Sequence, residues 1–325
     1  MTRPRAVVVG ATGFLGRHVR SALTAAGWEV VAAARRPDGP RRIPLPPAGP
    51  LRPVLAPALR DLAPALVVNA AGLIWRPEPA AMAVANAEVP EQIALALADS
   101  AAPARLVHLG SCLEYAPVPP PAAIDERTPT RPASPYGRSK REGSRRLGAV
   151  AAAHGLDVVE LRVFNAIGPG MSPVSVLGAA LDTLREARGR GGRAELRLLN
   201  LRQHRDYVDA RDVADAVVAA ATAAVGDDRA LNVGSGVARS AEEVVRALAV
   251  ASGVGHDLRL VPAPAGAART AGASWQLADI RRARAVLGWS PRRSLSRTVR
   301  DVWASADADD PAPRDSWREK ASRHD

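Results

Sequence analysis

The 325-residue chain is poor in several residue types, and each scarcity excludes a class of protein. A single cysteine, Cys112, excludes an internal disulfide and a cysteine-cluster metal site, so we expect no metal centre. No apolar run reaches the roughly 18 residues that cross a bilayer, and the first residues lead into a strand-like segment without a signal-peptide core. We therefore expect a cytoplasmic protein with no membrane partner.

Lysine and aromatic residues are also scarce. Arginine supplies nearly all of the positive charge behind the net value of +11, because Lys140 and Lys320 are the only lysines, and aromatic residues make up 3% of the chain. Single-stranded nucleic acid is held by a basic groove with aromatic stacking residues, and no basic run here is interleaved with aromatics. We expect no nucleic-acid partner; a substrate that carries a diphosphate would suit the charge equally well.

Short apolar runs alternate with alanine-rich helical stretches. The predicted strands cover residues 6–9, 29–33, 66–69, 105–109 and 158–163, and the predicted helices cover residues 17–26, 79–100, 140–154 and 279–287. Strands that are apolar throughout are buried on both faces, and repeated strand–helix units form parallel sheets with right-handed crossovers. The pattern predicts an α/β fold with a doubly wound parallel sheet of the Rossmann type.

Two proline-rich segments, residues 37–57 and 117–135, interrupt this pattern and are predicted to be loops. Asp279 is placed to cap the helix over 279–287, and Gly288 is placed to end it. The polar, aperiodic residues 304–325 are predicted to form a mobile tail.

Three glycines follow the first strand and open the first helix. Gly10, Gly13 and Gly16 have the spacing GxxGxxG, and Thr12, Phe14 and Leu15 lie between them. Glycine permits a tight turn and a close approach of the backbone to a pyrophosphate, and the first N–H groups of the helix favour its negative charge. We therefore predict a dinucleotide-binding cradle.

The residues after the second strand indicate which dinucleotide is bound. Dinucleotide-binding sheets often carry a carboxylate there for the ribose hydroxyls, whereas this chain has Arg35 and Arg36, and Arg17 follows the last cradle glycine. Guanidinium groups are bidentate phosphate donors. The pattern favours a ribose 2′-phosphate, hence NADP(H); the alternative is that Arg35 and Arg36 form a solvated strand end.

Tyr136 and Lys140 are four residues apart, which places them on one face of a helix. A tyrosine hydroxyl exchanges protons poorly near neutral pH, but a fixed ammonium group and an oxidised nicotinamide lower its pKa. Ser111, after the strand 105–109, can hydrogen-bond the same substrate oxygen. The alternative is an ordinary amphipathic helix.

Taken together these motifs resemble the extended short-chain dehydrogenase/reductase family, of the NAD-dependent epimerase/dehydratase type, from about residue 5 to 303. The resemblance implies a catalytic set of Ser111, Tyr136 and Lys140. It implies cofactor contacts from the cradle and from Asn69, Ala70, Ala71, Gly72, Asn86, Tyr136, Lys140 and Phe164. It implies substrate contacts from Ser111, Cys112, Leu113, Asn165, Asn200, Arg205 and Arg269.

Family architecture implies a smaller C-terminal substrate domain beside the cofactor domain. We expect residues 1–167 and 201–234 to form the NADP-binding domain, and residues 168–200 and 235–303 to form the substrate domain. The resemblance also implies a homodimer, through helices at residues 79–100 and 136–154, and a nucleotide-diphosphate sugar as substrate, of the dTDP or GDP type.

Positions at which this chain differs from the motifs of particular family members indicate which of the family's reactions it does not catalyse. The 4,6-dehydratases carry an Asp-Glu pair directly after the catalytic hydroxyl residue, where this chain has Cys112 and Leu113, so elimination of water is not expected. Reductases of the family that also epimerise the sugar carry a cysteine two residues before the tyrosine that corresponds to Tyr115. That position is Leu113 in this chain, and Cys112 lies one residue earlier, so we interpret Cys112 as a buried packing residue.

Two hydride chemistries remain. Arg35 and Arg36 favour an NADPH-dependent ketoreductase. The segment 199–201 resembles the substrate-nucleotide loop of reductases that act on nucleotide-activated 4-keto-6-deoxyhexoses, which favours that substrate. One alternative is an NAD-dependent 4-epimerase that keeps its cofactor, and another is a non-catalytic nucleotide-binding regulator. In the reductase, Tyr136 would give the proton, Ser111 would polarise the ketone and Lys140 would hold the ribose and the tyrosine.

Overall fold

The structure is a computed structural model that describes residues 3–74, 78–200, 203–226, 229–262 and 274–308. Its strands are β1 (Arg5–Val9), β2 (Glu29–Ala34), β3 (Arg42–Pro44), β4 (Leu66–Asn69), β5 (Arg105–Ser111), β6 (Val158–Val163), β7 (Asn165–Ile167), β8 (Ala194–Asn200), β9 (His204–Asp209), β10 (Ala230–Val233), β11 (Ala238–Ser240) and β12 (His256–Pro262).

The helices follow the strands in alternation through most of the chain. They are α1 (Phe14–Ala25), α2 (Arg52–Leu62), α3 (Pro79–Ala83), α4 (Val89–Ser100), α5 (Pro135–His154), α6 (Val176–Gly189), α7 (Ala210–Ala220), α8 (Ala241–Ser252), α9 (Arg281–Leu287) and α10 (Leu295–Ala308). A π-helical turn, Val84–Glu88, joins α3 to α4, and a short 3-10 turn, Cys112–Glu114, follows β5.

In the described part of the chain, seven parallel strands form one sheet in the order β10-β6-β5-β4-β1-β2-β3. The direction of winding reverses between β1 and β4. Open α/β sheets bind their ligands at such a switch point, beyond the carboxyl ends of the strands. The predicted doubly wound parallel sheet is confirmed.

Helices cover both faces of this sheet, as strands that are apolar throughout require. Ala6 and Val8 of β1 join a core with α1 and α7, whereas Val7 and Val9 point to the opposite core with α2, α4 and α5. All four side chains are buried. Each fully buried valine contributes about 1.5–3 kcal/mol by leaving water, so β1 is anchored from both sides and holds the loop that follows it.

Smaller sheets lie C-terminal to β6. β9 pairs with β7 in parallel and with β11 in antiparallel orientation, and β8 pairs with β12 in parallel. A third core joins β8 to α6, α8 and α10 around Leu184, Leu196 and Leu248. The expected domain boundaries stay a prediction.

The first proline-rich segment was predicted wrongly as a loop, because it contains β3 and most of α2. Pro53 lies in the first turn of α2, where a missing N–H costs no helical hydrogen bond. Pro57 lies inside the helix, which proline usually interrupts. The second segment does form a loop, and it ends where α5 begins at Pro135.

Helix boundaries differ from the prediction by a few residues. α1 begins at Phe14, so that it starts inside the glycine cradle. α9 begins at Arg281, whose N–H donates to Asp279 Oδ1 at 3.0 Å, and left-handed Gly288 ends it as predicted. α10 continues to Ala308, so residues 304–308 of the predicted tail are helical; residues 309–325 lie outside the described residues. Across the described ranges, no helix has the length and apolarity to cross a membrane.

Candidate active site

The glycine cradle has the geometry that its spacing predicts. Gly10 has a φ of +80°, and a methyl group on it would lie 2.7 Å from the N atom of Ala71. A methyl group on Gly16 would overlap the carbonyl oxygen of Gly10. Gly13 caps α1 without a side-chain hydrogen bond, so the first N–H groups of the helix can donate to an anion. These features fit the diphosphate of a dinucleotide cofactor.

The loop after β4 lies directly against the cradle. Asn69 is fully buried, and its Oδ1 accepts a hydrogen bond from the Ala71 N–H at 3.0 Å. Gly72 contacts Asn86, since a methyl group on Gly72 would lie 3.3 Å from Asn86 Oδ1. The structure therefore places the predicted segment from Asn69 to Gly72 at the switch point.

Asn86 fixes this loop to the helix that carries Tyr136. Its Oδ1 accepts from the Leu73 N–H, and its Nδ2 donates to the Leu73 carbonyl oxygen and to Ser139 Oγ, at 2.8, 2.8 and 3.0 Å. Ser139 Oγ in turn donates to the carbonyl oxygen of Tyr136. Because both amide hydrogens have partners, Asn86 positions the site in this structure; a direct contact with a cofactor stays a prediction.

Arg35 and Arg36 follow β2 next to the cradle, since the Gly10 N–H donates to the carbonyl oxygen of Ala33 at 2.9 Å. Both side chains are exposed, and neither forms an ion pair with the described residues. Arg17 lies elsewhere, because its guanidinium contacts Gly170 on the loop after β7. Arg35 and Arg36 therefore occupy the positions directly after β2, where dinucleotide-binding sheets often carry the acidic residue that holds the ribose.

Ser111, Tyr136 and Lys140 lie close together at the carboxyl end of β5. Ser111 ends β5, and its hydroxyl accepts from the Leu113 N–H at 3.2 Å. Tyr136 is half-buried in the first turn of α5, and Lys140, one turn further, donates from Nζ to the carbonyl oxygen of Leu109 at 2.8 Å. The chain segments of all three residues thus meet at the carboxyl end of β5.

Surrounding protein changes the proton affinity of this set. Burial raises the pKa of Tyr136, and the Ser111 hydroxyl opposes the change to a smaller degree. Burial lowers the pKa of Lys140, and the carboxylates of Glu114 and Glu160 oppose it. Without a cofactor the tyrosine therefore holds its proton at neutral pH, which differs from the lowered pKa expected when an oxidised nicotinamide lies beside it.

Two residues that were predicted to bind the substrate, Asn165 and Arg205, form a second cluster around Gln276. The sequence analysis did not assign Gln276 to the site. The Oε1 of this buried residue accepts from Asn165 Nδ2 at 2.9 Å and from Arg205 Nη1 at 2.8 Å. Arg205 also donates to Gln203 Oε1 at 2.8 Å. A cavity of about 750 Å³ opens beside this cluster, lined by Gln203, His204, Arg205, Tyr207 and residues of α6 and β8.

Several predicted residues lie away from the open cleft or outside the description. Cys112 is buried in the core, where burial raises the pKa of its thiol to about 12; the packing interpretation therefore fits it better than a side-chain contact with substrate. Phe164 is also buried in the core, and Leu113 is half-buried. The side chain of Asn200 and the whole of Arg269 lie outside the described residues.

Glu114 is a second residue that the sequence analysis did not assign. Its Oε1 accepts from the Ser111 N–H at 2.7 Å, and the side chain is completely buried. A glutamate inside the otherwise apolar run from Cys112 to Tyr115 was the signal, because charged residues are almost never fully buried without partners. The carboxyl group holds the turn that follows Ser111, the predicted catalytic serine.

The doubly wound sheet, the glycine cradle at its switch point and the Ser111–Tyr136–Lys140 set define an enzyme of the Rossmann class. The chain belongs to the NAD dependent epimerase/dehydratase family, whose model matches residues 6–234.

Relatives of known activity cover nearly the whole chain. It is 37% identical over 309 residues to the dTDP-6-deoxy-L-talose 4-dehydrogenase (NAD(P)(+)) of Kitasatospora kifunensis, covering 93% of this chain and 95% of that protein. It is 31% identical over 317 residues to the UDP-glucose 4-epimerase of Azospirillum brasilense, covering 89% and 88%. The structure of MoeE5 in complex with UDP-glucuronic acid and NAD is similar with a TM-score of 0.78 at 28% identity, covering 94% and 99%.

Proposed function

We propose that the protein reduces the C4 ketone of a nucleotide-activated 4-keto-6-deoxyhexose with NADPH. The observation that carries this proposal is the pair of exposed arginines, Arg35 and Arg36, beside the dinucleotide cradle. A ribose 2′-phosphate adds negative charge where these guanidinium groups lie, and charge-assisted hydrogen bonds favour its binding. An enzyme that selects NADPH uses it as a reductant and releases the oxidised form.

The catalytic set suits reduction. A bound reduced nicotinamide supplies the hydride that adds to the carbonyl carbon. Tyr136 holds a proton at neutral pH and can give it to the carbonyl oxygen, while the Ser111 hydroxyl polarises the same oxygen. Lys140 supplies positive charge that stabilises the phenolate left on Tyr136.

The substrate side suits a nucleotide-diphosphate sugar. Arg205 lines the cavity of about 750 Å³. A guanidinium group can donate two hydrogen bonds to one phosphate. The relative from Kitasatospora kifunensis acts on a dTDP sugar at C4, and reduction of a ketone is the reverse of that dehydrogenation. Its likeness over most of the chain supports a dTDP sugar in preference to a GDP sugar here.

A 4-epimerase is the second candidate, favoured by the UDP-glucose 4-epimerase of Azospirillum brasilense at 31% identity. An epimerase oxidises the sugar, lets the keto sugar rotate and returns the hydride, so it keeps its NAD and consumes none. Directly after β2 the chain has Arg35 and Arg36 in place of a carboxylate, which is an argument against this candidate.

The test measures loss of reduced-nicotinamide absorbance when purified protein is mixed with NADPH and dTDP-4-keto-6-deoxyglucose. We expect one NADPH to be consumed for each sugar reduced. Parallel reactions with the GDP-linked keto sugar test the choice of base. If no nucleotide supports NADPH consumption, and if NAD is recovered from the denatured protein, the epimerase takes the place of the reductase.

A further inference from the structure

A group of charged side chains is buried behind the catalytic set, on the face of the sheet that α5 covers. Glu114 is completely buried, and Glu160 and Arg162 of β6 are almost so, with 16% and 12% of their side chains exposed. A methyl group on Gly110 would lie 2.6 Å from Glu160 Oε1 and 3.1 Å from Glu114 Oε1. The two carboxyl groups therefore share the space over Gly110.

Lys140 joins this group to the active site. Its ammonium binds the carbonyl oxygen of Leu109, the residue next to Gly110, and the charges of Glu114 and Glu160 act to raise its pKa against the larger effect of burial. Glu114 Oε1 is held by the Ser111 N–H, but its Oε2 has no hydrogen-bond partner among the described residues. One oxygen of the buried carboxyl group is thus available for a proton.

Glu160 connects the same group to a cavity between α5 and the sheet at β6 and β10. Its Oε1 accepts from Ser144 Oγ at 2.8 Å, and both residues line a cavity of about 420 Å³. His108, which pairs with Glu160 across β5 and β6, also lines it, and the buried Nε2 of His108 has no partner in the described chain. The cavity reaches exposed Gly155 and Arg229, and a space of this size, with His108, Ser144 and Glu160 in its otherwise mostly apolar lining, can hold water.

We propose that Glu114 and Glu160 form a proton path from this cavity to Lys140, and that the path supplies the proton consumed in each reduction. The proposal rests on the proposed function, because only a net reduction consumes a proton. Both carboxyl groups act through Lys140 and touch no substrate. Cofactor and sugar fill the active site during turnover, whereas in this structure the cavity between α5 and β6 opens to the surface at Gly155 and Arg229.

The proton balance is simple. Tyr136 gives its proton to the new alkoxide oxygen and becomes a phenolate, and Lys140 donates a proton to that phenolate. The Glu114 carboxyl group then gives its proton to the neutral Lys140 amine and becomes a carboxylate. A proton from solvent in the cavity, passed by way of Ser144 and Glu160, restores Glu114, so one solvent proton enters for each alcohol formed.

The charges around Glu114 suit a group that gains and loses a proton near neutral pH. Burial, the largest effect, and the charge of Glu160 raise the pKa of Glu114 to about 7, while Lys140 and Arg162 oppose them. Burial holds the pKa of His108 well below its usual range, so its ring is neutral. The ionisable groups whose charges interact with that of Glu114 are Cys112, Tyr136 and Lys140 of α5, and Glu160 and Arg162 of β6.

The test uses Glu114→Gln, which keeps an oxygen for the Ser111 N–H but cannot release a proton. We expect kcat to fall about 10- to 100-fold, the loss of activity above about pH 7 to disappear from the pH profile, and the solvent deuterium isotope effect on kcat to rise. Ser144→Ala should give a smaller fall of the same kind. Glu126→Gln is the matched control, because Glu126 is a partly buried carboxyl group that accepts from the Asn232 N–H outside this group.

A Glu114→Gln enzyme with a lower kcat but an unchanged pH profile and isotope effect would overturn the path and leave Glu114 a purely structural residue. Infrared titration of the free protein separates this outcome from a failure of the proposed function. A protonated-carboxyl band that persists above about pH 6 and is lost in Glu114→Gln supports the proton-holding step. If wild-type protein shows that band but consumes no NADPH, the reductase assignment fails, and with it the role of the path in turnover.

Discussion

The α-carbon of Gly137 packs against the carbonyl oxygen of Leu113, so closely that a methyl group on Gly137 would overlap that oxygen. This contact joins the first turn of α5, which carries Tyr136, to the 3-10 turn that follows Ser111. A second close approach, of Gly143 to the carbonyl oxygen of Asn86, seats the same helix on the π-turn. Backbone contact therefore sets the distance between Tyr136 and Ser111, the predicted catalytic pair.

Gly137→Ala should push α5 away from the turn at Leu113. A displacement of about 1 Å at a catalytic group can cost about 100-fold in rate, so we expect kcat to fall by that order while the fold persists. Gly189→Ala, on α6, is the control, since a methyl group there meets nothing within 4 Å. Equal kcat values for the two variants would show that this contact does not set the catalytic geometry.

Tyr136→Phe should remove the proton donor without disturbing the cradle. We expect kcat to fall about 10²- to 10⁴-fold, the usual contribution of a positioned acid, while the dissociation constant for NADPH, measured by fluorescence, stays the same. The comparison is Tyr115→Phe, which loses a hydrogen bond of 2.8 Å to Asn232 and should keep turnover. Surviving turnover in Tyr136→Phe would mean that another group donates the proton.

Gln276→Leu removes the shared acceptor of Asn165 and Arg205 at nearly constant side-chain volume. Losing hydrogen bonds to buried or charged partners costs about 1–3 kcal/mol each, so we expect the KM for the sugar nucleotide to rise roughly 10-fold or more. Binding of NADPH should be unchanged, because the cluster lies on the substrate side. A raised dissociation constant for NADPH with an unchanged sugar KM would place Gln276 at the cofactor instead.

The raised pKa of Glu114 predicts how stability depends on pH. Its carboxyl group binds a proton in the native state up to about pH 7, whereas the unfolded chain releases it near its usual value of 4.5. Between these values the native state holds the extra proton, so this group makes the free energy of unfolding fall as pH rises, by at most about 1.4 kcal/mol per unit.

Glu114→Gln has no such proton. Its free energy of unfolding relative to wild type should therefore be higher at about pH 8 than at about pH 5, as measured by urea denaturation at both values. Glu78→Gln, at an exposed position, is the control and should show the same difference at both. A pH-independent difference for Glu114→Gln would contradict the raised pKa.

Much of the fold follows from local sequence pattern. The apolar strand around Val7 and Val8, and the glycine spacing after it, predict the buried sheet and the cradle, because burial and backbone conformation are short-range requirements. The proline-rich segment around Pro53 and Pro57 was predicted wrongly, since α2 is held by packing of Leu55 and Leu59 on the sheet and α4, which overrides local propensity.

The candidate site is less visible in the sequence. The spacing of Tyr136 and Lys140 predicts their shared face, but Gln276 meets Asn165 from more than a hundred residues away. No local pattern records that contact. Glu114 accepts locally from the Ser111 N–H, and its place in an apolar run is visible in the sequence, but Glu160 and Arg162 come beside it only when β6 pairs with β5. The surroundings of such groups follow from the three-dimensional arrangement.

The ratio of kcat/KM for NADPH to kcat/KM for NADH, in wild type and in Arg35→Ala/Arg36→Ala, tests the central claim most directly. Each lost charge-assisted hydrogen bond costs about 1.5–3 kcal/mol, so the ratio should strongly favour NADPH in wild type and fall by about 10- to 100-fold or more in the double variant. Arg41→Ala, which removes the charge that pairs with Glu29 near the same sheet edge, should leave the ratio unchanged. A wild-type enzyme that uses both cofactors equally, with a ratio that the double variant does not alter, would contradict the account.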